Sequence, residues 1–157
     1  MKIKTKNFND RSLTKMIKQA AKFYALQLIP NHYDKIYLDI YSNKIEADGT
    51  CFQHDGYDFE IEINKKLSFD HMMITLAHEM IHLKQYVMKE LKTKVVKGNC
   101  IDTWKGVKFK NTDYKDQPWE QEATMLEEEL YHRFLFYGMY VGKLDFDTIK
   151  QVDKSAS

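Results

Sequence analysis

The sequence predicts an α+β fold in which a small, mainly antiparallel sheet packs beside two long helices. Apolar residues recur at helical spacing in three segments, and they alternate with polar residues at strand spacing in two segments between the first two helices. The 157 residues, 43% of them apolar, suffice for one buried core, and no linker or internal repeat divides them. We therefore expect one domain spanning residues 1–157.

The first half of the chain predicts a helix followed by two strands. Asp10 or Ser12 can cap the helix, whose apolar residues recur from Leu13 to Leu28, and Pro30 stops it. Apolar and polar residues then alternate over 36–41 and, most regularly, over 57–64. Turn signals lie between these two segments at Asp48-Gly49 and at residues 54–56.

The second half predicts two further helices separated by a polar stretch. Ser68 offers an N-cap for an apolar run that meets no glycine or proline until Gly98. Lysines accumulate over 84–97, which we interpret as a solvated helix end with a basic loop. Trp104, Val107 and Phe109 predict a short hairpin within the mostly polar residues 92–116, and the last helix begins near residues 116–118 and runs to about residue 140.

The run His78-Glu79-Met80-Ile81-His82 is the motif that specifies chemistry most narrowly. On a helix, His78 and His82 lie one turn apart on one face, so both imidazoles can bind a single zinc ion. Glu79 then lies beside the metal, where a carboxylate can take a proton from the attacking water and deliver it to a leaving amine. Random shuffling of this composition produces such a motif about once in seventy sequences. The pattern therefore predicts a zinc site for peptide-bond hydrolysis.

A catalytic zinc site normally uses three protein ligands, and the last helix offers the third. Glu120 and Glu122 both lie near its start, but at 100° per residue Glu120 shares a face with Thr124, Glu127 and Tyr131, whereas Glu122 points away. We predict Glu120 as the ligand, with Glu122 as the alternative. Thr124 and Glu127 are then candidates to orient a ligand side chain.

Stabilisation of the oxyanion requires a further donor beyond the metal. Tyr131 lies three turns beyond Glu120 on the same face, with His132 adjacent, and either could supply it. The competing interpretation places Tyr131 in an aromatic core stripe along the last helix.

The motif residues resemble those of a known family of zinc peptidases. Residues 76–82, taken with Glu120-Gln121-Glu122-Ala123, resemble the minimal gluzincins, zincins with a glutamate as third ligand, and SprT-like proteins are the nearest group. The likeness covers about residues 57–135 and departs at Thr124, where several such families have an aspartate. Residues 104–106 and 118–120 also resemble short metallopeptidase-like proteins of tailed phages. The resemblance implies a zincin-like fold, zinc as cofactor, and a protein or peptide substrate, which we expect the 57–63 strand to receive as a sheet edge.

The composition indicates which partners and which cellular compartment to expect. The net charge of +1 gives no overall field typical of a nucleic-acid binder, and no segment of the chain approaches a membrane span. Two cysteines and no signal-peptide pattern predict a cytoplasmic protein, either cellular or phage-encoded in its host. Two rivals to catalysis stay open. One is a DNA-associated or regulatory binding module, and the other is a structural metal site closed by His71 or Cys100. Substrate identity and oligomeric state are not specified.

Overall fold

The computed structural model describes residues 1–140, which form three long helices and two small sheets. Residues 141–157, which the predicted single domain includes, lie outside the described part of the chain. The elements are β1 (Lys2–Lys6), α1 (Arg11–Leu28), β2 (Tyr37–Asn43), β3 (Gly49–Asp55), β4 (Asp58–Asn64), α2 (Phe69–Val87), β5 (Leu91–Val96), β6 (Asn99–Trp104), β7 (Val107–Lys110) and α3 (Pro118–Tyr140), with short 3-10 turns at Pro30–Lys35 and Tyr114–Asp116. This mixture is consistent with the predicted α+β class. None of the helices in the described residues has the length and apolar character needed to cross a membrane.

The helices begin at the predicted capping residues. The Asp10 carboxylate accepts the Leu13 N–H at 2.7 Å at the start of α1, and the Ser68 hydroxyl accepts the His71 N–H at 3.4 Å at the start of α2. Pro118 occupies the first position of α3, where its missing N–H leaves no hydrogen bond unmade. The local signals in the sequence therefore determine where each helix starts.

The four-stranded sheet beside α2 corrects the prediction of a mainly antiparallel sheet. Its strand order is β1-β2-β4-β3, in which β1 and β4 both run parallel to β2, and only β3 and β4 are antiparallel. The physical reason is that β3, which lies between β2 and β4 in the sequence, forms a hairpin with β4 on the side away from β2, so β2 and β4 run in the same direction. Strand β1 was not predicted, because its partner β2 lies more than 30 residues away and its own composition is largely lysine.

The prediction that residues 57–63 form a sheet edge is also wrong. Strand β4 is paired on both sides, with β2 and with β3, so its main chain is not free to receive a peptide. The edge of the sheet on this side is β3, which the two predicted turns enclose. Strand β3 therefore takes the position that the sequence interpretation gave to the following strand.

The core lies between one face of this sheet and helices α1 and α2. Alternate residues of β2 and β4 are at most 1% exposed and face the helices: Leu38, Ile40, Phe59, Ile61 and Ile63. Burying each such side chain contributes about 1.5–3 kcal/mol. Helix α3 packs across α2 and adds Ala123, Leu130 and Phe134 to the same core. Helix α2 is therefore held on two sides, by the sheet and by α3.

A second, three-stranded antiparallel sheet follows α2, with the order β5-β6-β7. It confirms the predicted hairpin of Trp104, Val107 and Phe109, which spans β6 and β7. The interpretation of residues 92–96 as a loop after a helix end is wrong, because they pair with β6 as part of strand β5. Leu91 and Trp104 anchor this sheet by packing with Trp119 at the start of α3.

Candidate metal centre

The two histidines of the predicted motif lie on the face of α2 that meets α3. Their Nε2 atoms are 3.0 Å apart, and both side chains are largely removed from solvent. This proximity follows from the helical period, because residues four apart lie one turn apart on one face. The spacing in the sequence therefore produces the expected convergence of the two imidazoles.

Glu120 on α3 completes a three-residue cluster with these histidines. Its Oε2 lies 3.0 Å from His78 Nε2, and its Oε1 lies 3.2 Å from His82 Nε2. Ligand atoms placed 2.0–2.1 Å from a tetrahedral zinc ion lie about 3.3 Å from one another. The donor set, two imidazoles and one carboxylate, is one that zinc commonly uses. Both the spacing and the chemistry of the three residues thus fit a zinc ion.

The other ring nitrogen of each histidine is held by a separate side chain. His78 Nδ1 donates to Glu127 Oε2 at 2.6 Å, and His82 Nδ1 donates to Gln85 Oε1 at 2.8 Å. The Gln85 amide in turn donates to the Trp119 carbonyl oxygen at 3.0 Å. Such contacts fix the orientation of a ligand histidine and leave Nε2 directed at the metal.

Of these two supporting residues, sequence reasoning identified Glu127 and missed Gln85. Gln85 is fully buried and lies three residues after His82, on the histidine face of α2. A glutamine in an otherwise apolar helical run was the signal that could have indicated it.

The carboxylates around the histidines make the cluster favourable for positive charge. Burial alone lowers the pKa of His78, but hydrogen bonds to Glu120 and Glu127 outweigh burial and raise this pKa to about 10. The pKa of His82 is also raised, because its hydrogen bond to Glu120 outweighs burial. Burial raises the pKa of Glu120, but hydrogen bonds from both histidines lower it well below its usual range. The cluster therefore holds protons where a metal ion would supply the same charge.

Glu79 lies on the adjacent side of α2, beneath the edge strand β3, and is 5% exposed. Burial raises the pKa of its carboxyl to about 7, although His82 and His78 act in the opposite direction. Gly49 makes this position available, since a Cβ added to Gly49 would lie 2.8 Å from Glu79 Oε1 and 2.6 Å from Thr75 Cγ2. Glu79 can therefore exchange a proton near neutral pH within a closely fitted space.

Three other predicted residues do not join the cluster. Glu122, the alternative ligand, accepts hydrogen bonds from Lys84 at 2.9 Å and from Gln85 at 3.4 Å. Thr124 is exposed and lines the same cavity as His78, but it is not part of the three-residue cluster. The Tyr131 hydroxyl donates to Asp70 in the first turn of α2, because eleven residues of helix carry it about 16 Å along the axis from Glu120. The assignment of Tyr131 as an oxyanion donor is therefore corrected, and Tyr131 is part of the core.

Tyr114 is the tyrosine that the structure brings to the cluster. It lies in the 3-10 turn before α3 and lines both cavities beside the cluster, and burial together with the neighbouring Glu120 carboxylate raises the pKa of Tyr114. Its ring is otherwise exposed to solvent. Sequence analysis missed it because Tyr114 precedes the helix on which the ligand was sought.

Two cavities adjoin the cluster beside the edge strand; they share part of their lining, and together we call them the cleft. One, of about 250 Å³, extends over Cys51 of β3 to Leu91 and Trp119. The other, of about 530 Å³, extends over Asp48 to Ile74 of α2 and Glu128 of α3. Both are lined by Gly49, His78, Glu79 and Tyr114. The first residues of the edge strand β3 therefore line the cleft together with His78 and Glu79.

Within residues 1–140, His78, His82 and Glu120 are the one group of three or more histidine, cysteine or acidic side chains placed to share a metal ion. His71 lies on the wall of the larger cavity, and Cys100 is exposed on β6. Neither belongs to the cluster, so the structure does not bring either predicted fourth ligand to it.

Comparisons with protein-family models, curated proteins and solved structures gave no match to this chain. The resemblance to minimal gluzincins therefore stays a prediction from the motif residues.

Proposed function

We propose that this chain is a zinc-dependent peptide hydrolase. The observation that supports the proposal is the convergence of His78, His82 and Glu120 beside the buried carboxyl of Glu79, at the centre of an open cleft. Two imidazoles and one carboxylate leave a coordination position open, which is the arrangement of catalytic rather than structural zinc sites. Zinc, when bound, supplies a Lewis acid that polarises a carbonyl and lowers the pKa of water to about 7.

In this proposal Glu79 moves the proton. Its carboxylate takes a proton from the water that attacks the scissile carbonyl carbon, and the resulting carboxylic acid donates that proton to the leaving amine nitrogen. In the metal-free protein burial raises the pKa of this carboxyl, and a bound cation would lower it again and so favour the carboxylate that accepts the proton. The close approach of Gly49 holds this carboxyl against the edge strand, where a substrate main chain would lie.

The remaining residues position the substrate and stabilise charge. The free edge of β3 offers main-chain donors and acceptors to an extended peptide, which binds by adding a strand to the sheet. Tyr114 takes the role first given to Tyr131. It lines both cavities beside the cluster, and its hydroxyl is the donor proposed for the carbonyl oxygen of the substrate as negative charge develops there.

The test is cleavage of casein, a broad unfolded substrate, by the wild type and by Glu79→Gln. The substitution removes the base while leaving all three proposed ligands, so we expect an unchanged zinc content and a rate at least about 100-fold lower. Glu129→Gln is the matched control, because Glu129 is exposed on α3 and pairs with Arg133 outside the cleft. Equal cleavage by wild type and Glu79→Gln would refute the proposal. Zinc binding without any cleavage by the wild type would instead favour the binding module.

A further inference from the structure

The register of the three-stranded sheet assigns its residues to two faces of different chemistry. One face turns toward the metal centre, where Leu91 and Trp104 are buried and where Leu91, Thr93 and Asp102 line the smaller cavity. Thr93 donates to Asp102 at 2.7 Å on this face, so the carboxylate of Asp102 is already engaged there. The opposite face is formed by the alternate residues of the same strands and points away from the cleft.

The opposite face carries four lysines in two rows across the strands, which we call the lysine face. The rows are Lys92-Thr103-Lys108 and Lys94-Ile101-Lys110. All four lysines are exposed, whereas Ile101 and Thr103 of the central strand are half-buried between them. The ammonium groups thus flank a strip of neutral surface along β6.

No carboxylate balances these charges. Residues 91–110 contain six lysines and one acidic residue, Asp102, a net charge of +5 in a chain whose net charge is +1. Among the described residues, none of the lysine-face ammonium groups forms an ion pair, in contrast to Lys84 and Lys105, which pair with glutamates. Unpaired like charges on one exposed face create a positive local potential, which attracts an anionic partner.

The spacing of the lysines indicates what kind of anion fits. Lysines two residues apart on one strand lie about 7 Å apart, and β5 and β7 lie about 10 Å apart. A phosphodiester chain carries one charge on every unit, so a strand laid over β6 meets ammonium groups on both sides. An extended acidic peptide directs only every second side chain at the sheet and meets fewer of them. We propose that the lysine face binds the phosphodiester backbone of a nucleic acid.

Binding of this kind is independent of base sequence and of the metal centre. Lysine contacts to phosphates fix position without reading bases, and the lysine face exposes no aromatic side chain; its one amide, Asn99, lies in the next row, opposite Val96 and beyond the lysines. Because the lysine face points away from the cleft, its loss leaves the proposed metal ligands untouched.

Fluorescence anisotropy with a labelled 20-nucleotide thymidine strand and a 20-base-pair duplex tests the proposal across a salt titration. Four phosphate contacts predict that the logarithm of affinity falls against the logarithm of salt concentration with a slope of about −2.8 for the single strand and about −3.6 for the duplex. A variant carrying Lys92→Gln, Lys94→Gln, Lys108→Gln and Lys110→Gln is expected to bind at least about 10-fold more weakly at low salt.

The matched control carries Lys15→Gln, Lys22→Gln, Lys65→Gln and Lys66→Gln, four exposed lysines elsewhere, and should retain the affinity and the slope. Circular dichroism verifies that each variant folds. If the quadruple variant does not fold, the double variants Lys92→Gln with Lys94→Gln and Lys108→Gln with Lys110→Gln replace it, and each should lose about half of the slope. Unchanged binding by the lysine-face variant, or an equal loss in the control, would overturn the proposal. Competition by polyglutamate as strong as that by DNA would overturn it in favour of an acidic polypeptide.

Discussion

Replacing Gly49 with alanine is expected to disturb the edge strand and the Glu79 carboxyl together. The new Cβ would lie 2.6 Å from Thr75 Cγ2 and 2.8 Å from Glu79 Oε1, whereas ordinary contacts of this kind begin near 3.4 Å. Thr75 is β-branched and sits on a helix, so only two side-chain rotamers are available to withdraw its methyl group. Strand β3 must therefore move outward by roughly 0.8 Å, or Glu79 must leave its place.

The magnitude follows from the size of that displacement. Overpacking of a closely fitted site costs about 1–3 kcal/mol, and in a chain of this length each kcal/mol lowers Tm by about 2–4 °C. We expect Gly49→Ala to lower Tm by about 2–12 °C. Displacing a catalytic group by close to 1 Å costs about 100-fold in rate, so the proposed cleavage of casein should fall by about that factor.

Differential scanning calorimetry of the wild type, Gly49→Ala, Thr75→Ala and the double variant separates the contact with Thr75 from the contact with Glu79. Thr75→Ala removes the methyl group, so the double variant with Gly49→Ala should recover much of the lost Tm. The double variant should not recover the rate, because the clash with Glu79 persists. A Gly49→Ala protein with the Tm and casein cleavage of the wild type would refute the close approach and the role it gives to Gly49.

The structure also predicts effects on metal affinity, pH dependence and thiol reactivity. Glu127→Ala should weaken zinc binding by about 10–100-fold in a competitive titration, because His78 loses the contact that orients it, while Thr124→Ala should have no effect. In EDTA, the Tm of the metal-free protein should fall as the pH rises from about 6.5 to about 10, because the folded-state pKa of His78 lies above its unfolded value. Glu127→Gln should make Tm depend less on pH. A Tm that rises over that range would contradict this prediction. Iodoacetamide should modify exposed Cys100 at least about 10-fold faster than Cys51, because burial and the neighbouring Glu79 raise the pKa of the Cys51 thiol. Mass spectrometry of the alkylated peptides measures the two rates. Faster modification of Cys51 would contradict this reasoning.

The helices were predictable because their signals are local. Capping side chains at Asp10 and Ser68, the proline at 118 and a helical apolar period all act within one or two turns, so the sequence carries them directly. The face of α3 was predictable for the same reason, since 100° per residue places Glu120 and Glu127 toward the histidines and Glu122 toward Lys84.

The sheet order was not predictable, because it depends on pairings between distant segments. Strand β4 could pair with β2 in the antiparallel or in the parallel direction. The two arrangements have the same alternation of buried and exposed residues, so no local residue pattern distinguishes them. The edge strand was therefore assigned one strand too late. Tyr114 was missed on similar grounds, because it reaches Glu120 through a turn whose direction depends on how α3 packs.

The lysine-rich segment shows how tertiary context determines the meaning of a charge pattern. As a helix end, residues 92–96 would spread their charges around a cylinder in solvent. As strand β5, they place Lys92 and Lys94 on one face with Lys108 and Lys110, a grouping visible only once β6 and β7 have been paired.

The central claim is that His78, His82 and Glu120 together bind one zinc ion. The most direct test is zinc stoichiometry by mass spectrometry of the metal, with a competitive titration, for wild type, Glu120→Ala and Glu122→Ala. The two glutamates lie two residues apart on α3, but only Glu120 faces the histidines, so the wild type and Glu122→Ala should each hold one zinc tightly. Glu120→Ala should bind at least about 100-fold more weakly, because one of three ligands is gone. Equal zinc affinity in Glu120→Ala and the wild type, or no zinc in the wild type under metal-replete conditions, would contradict the account.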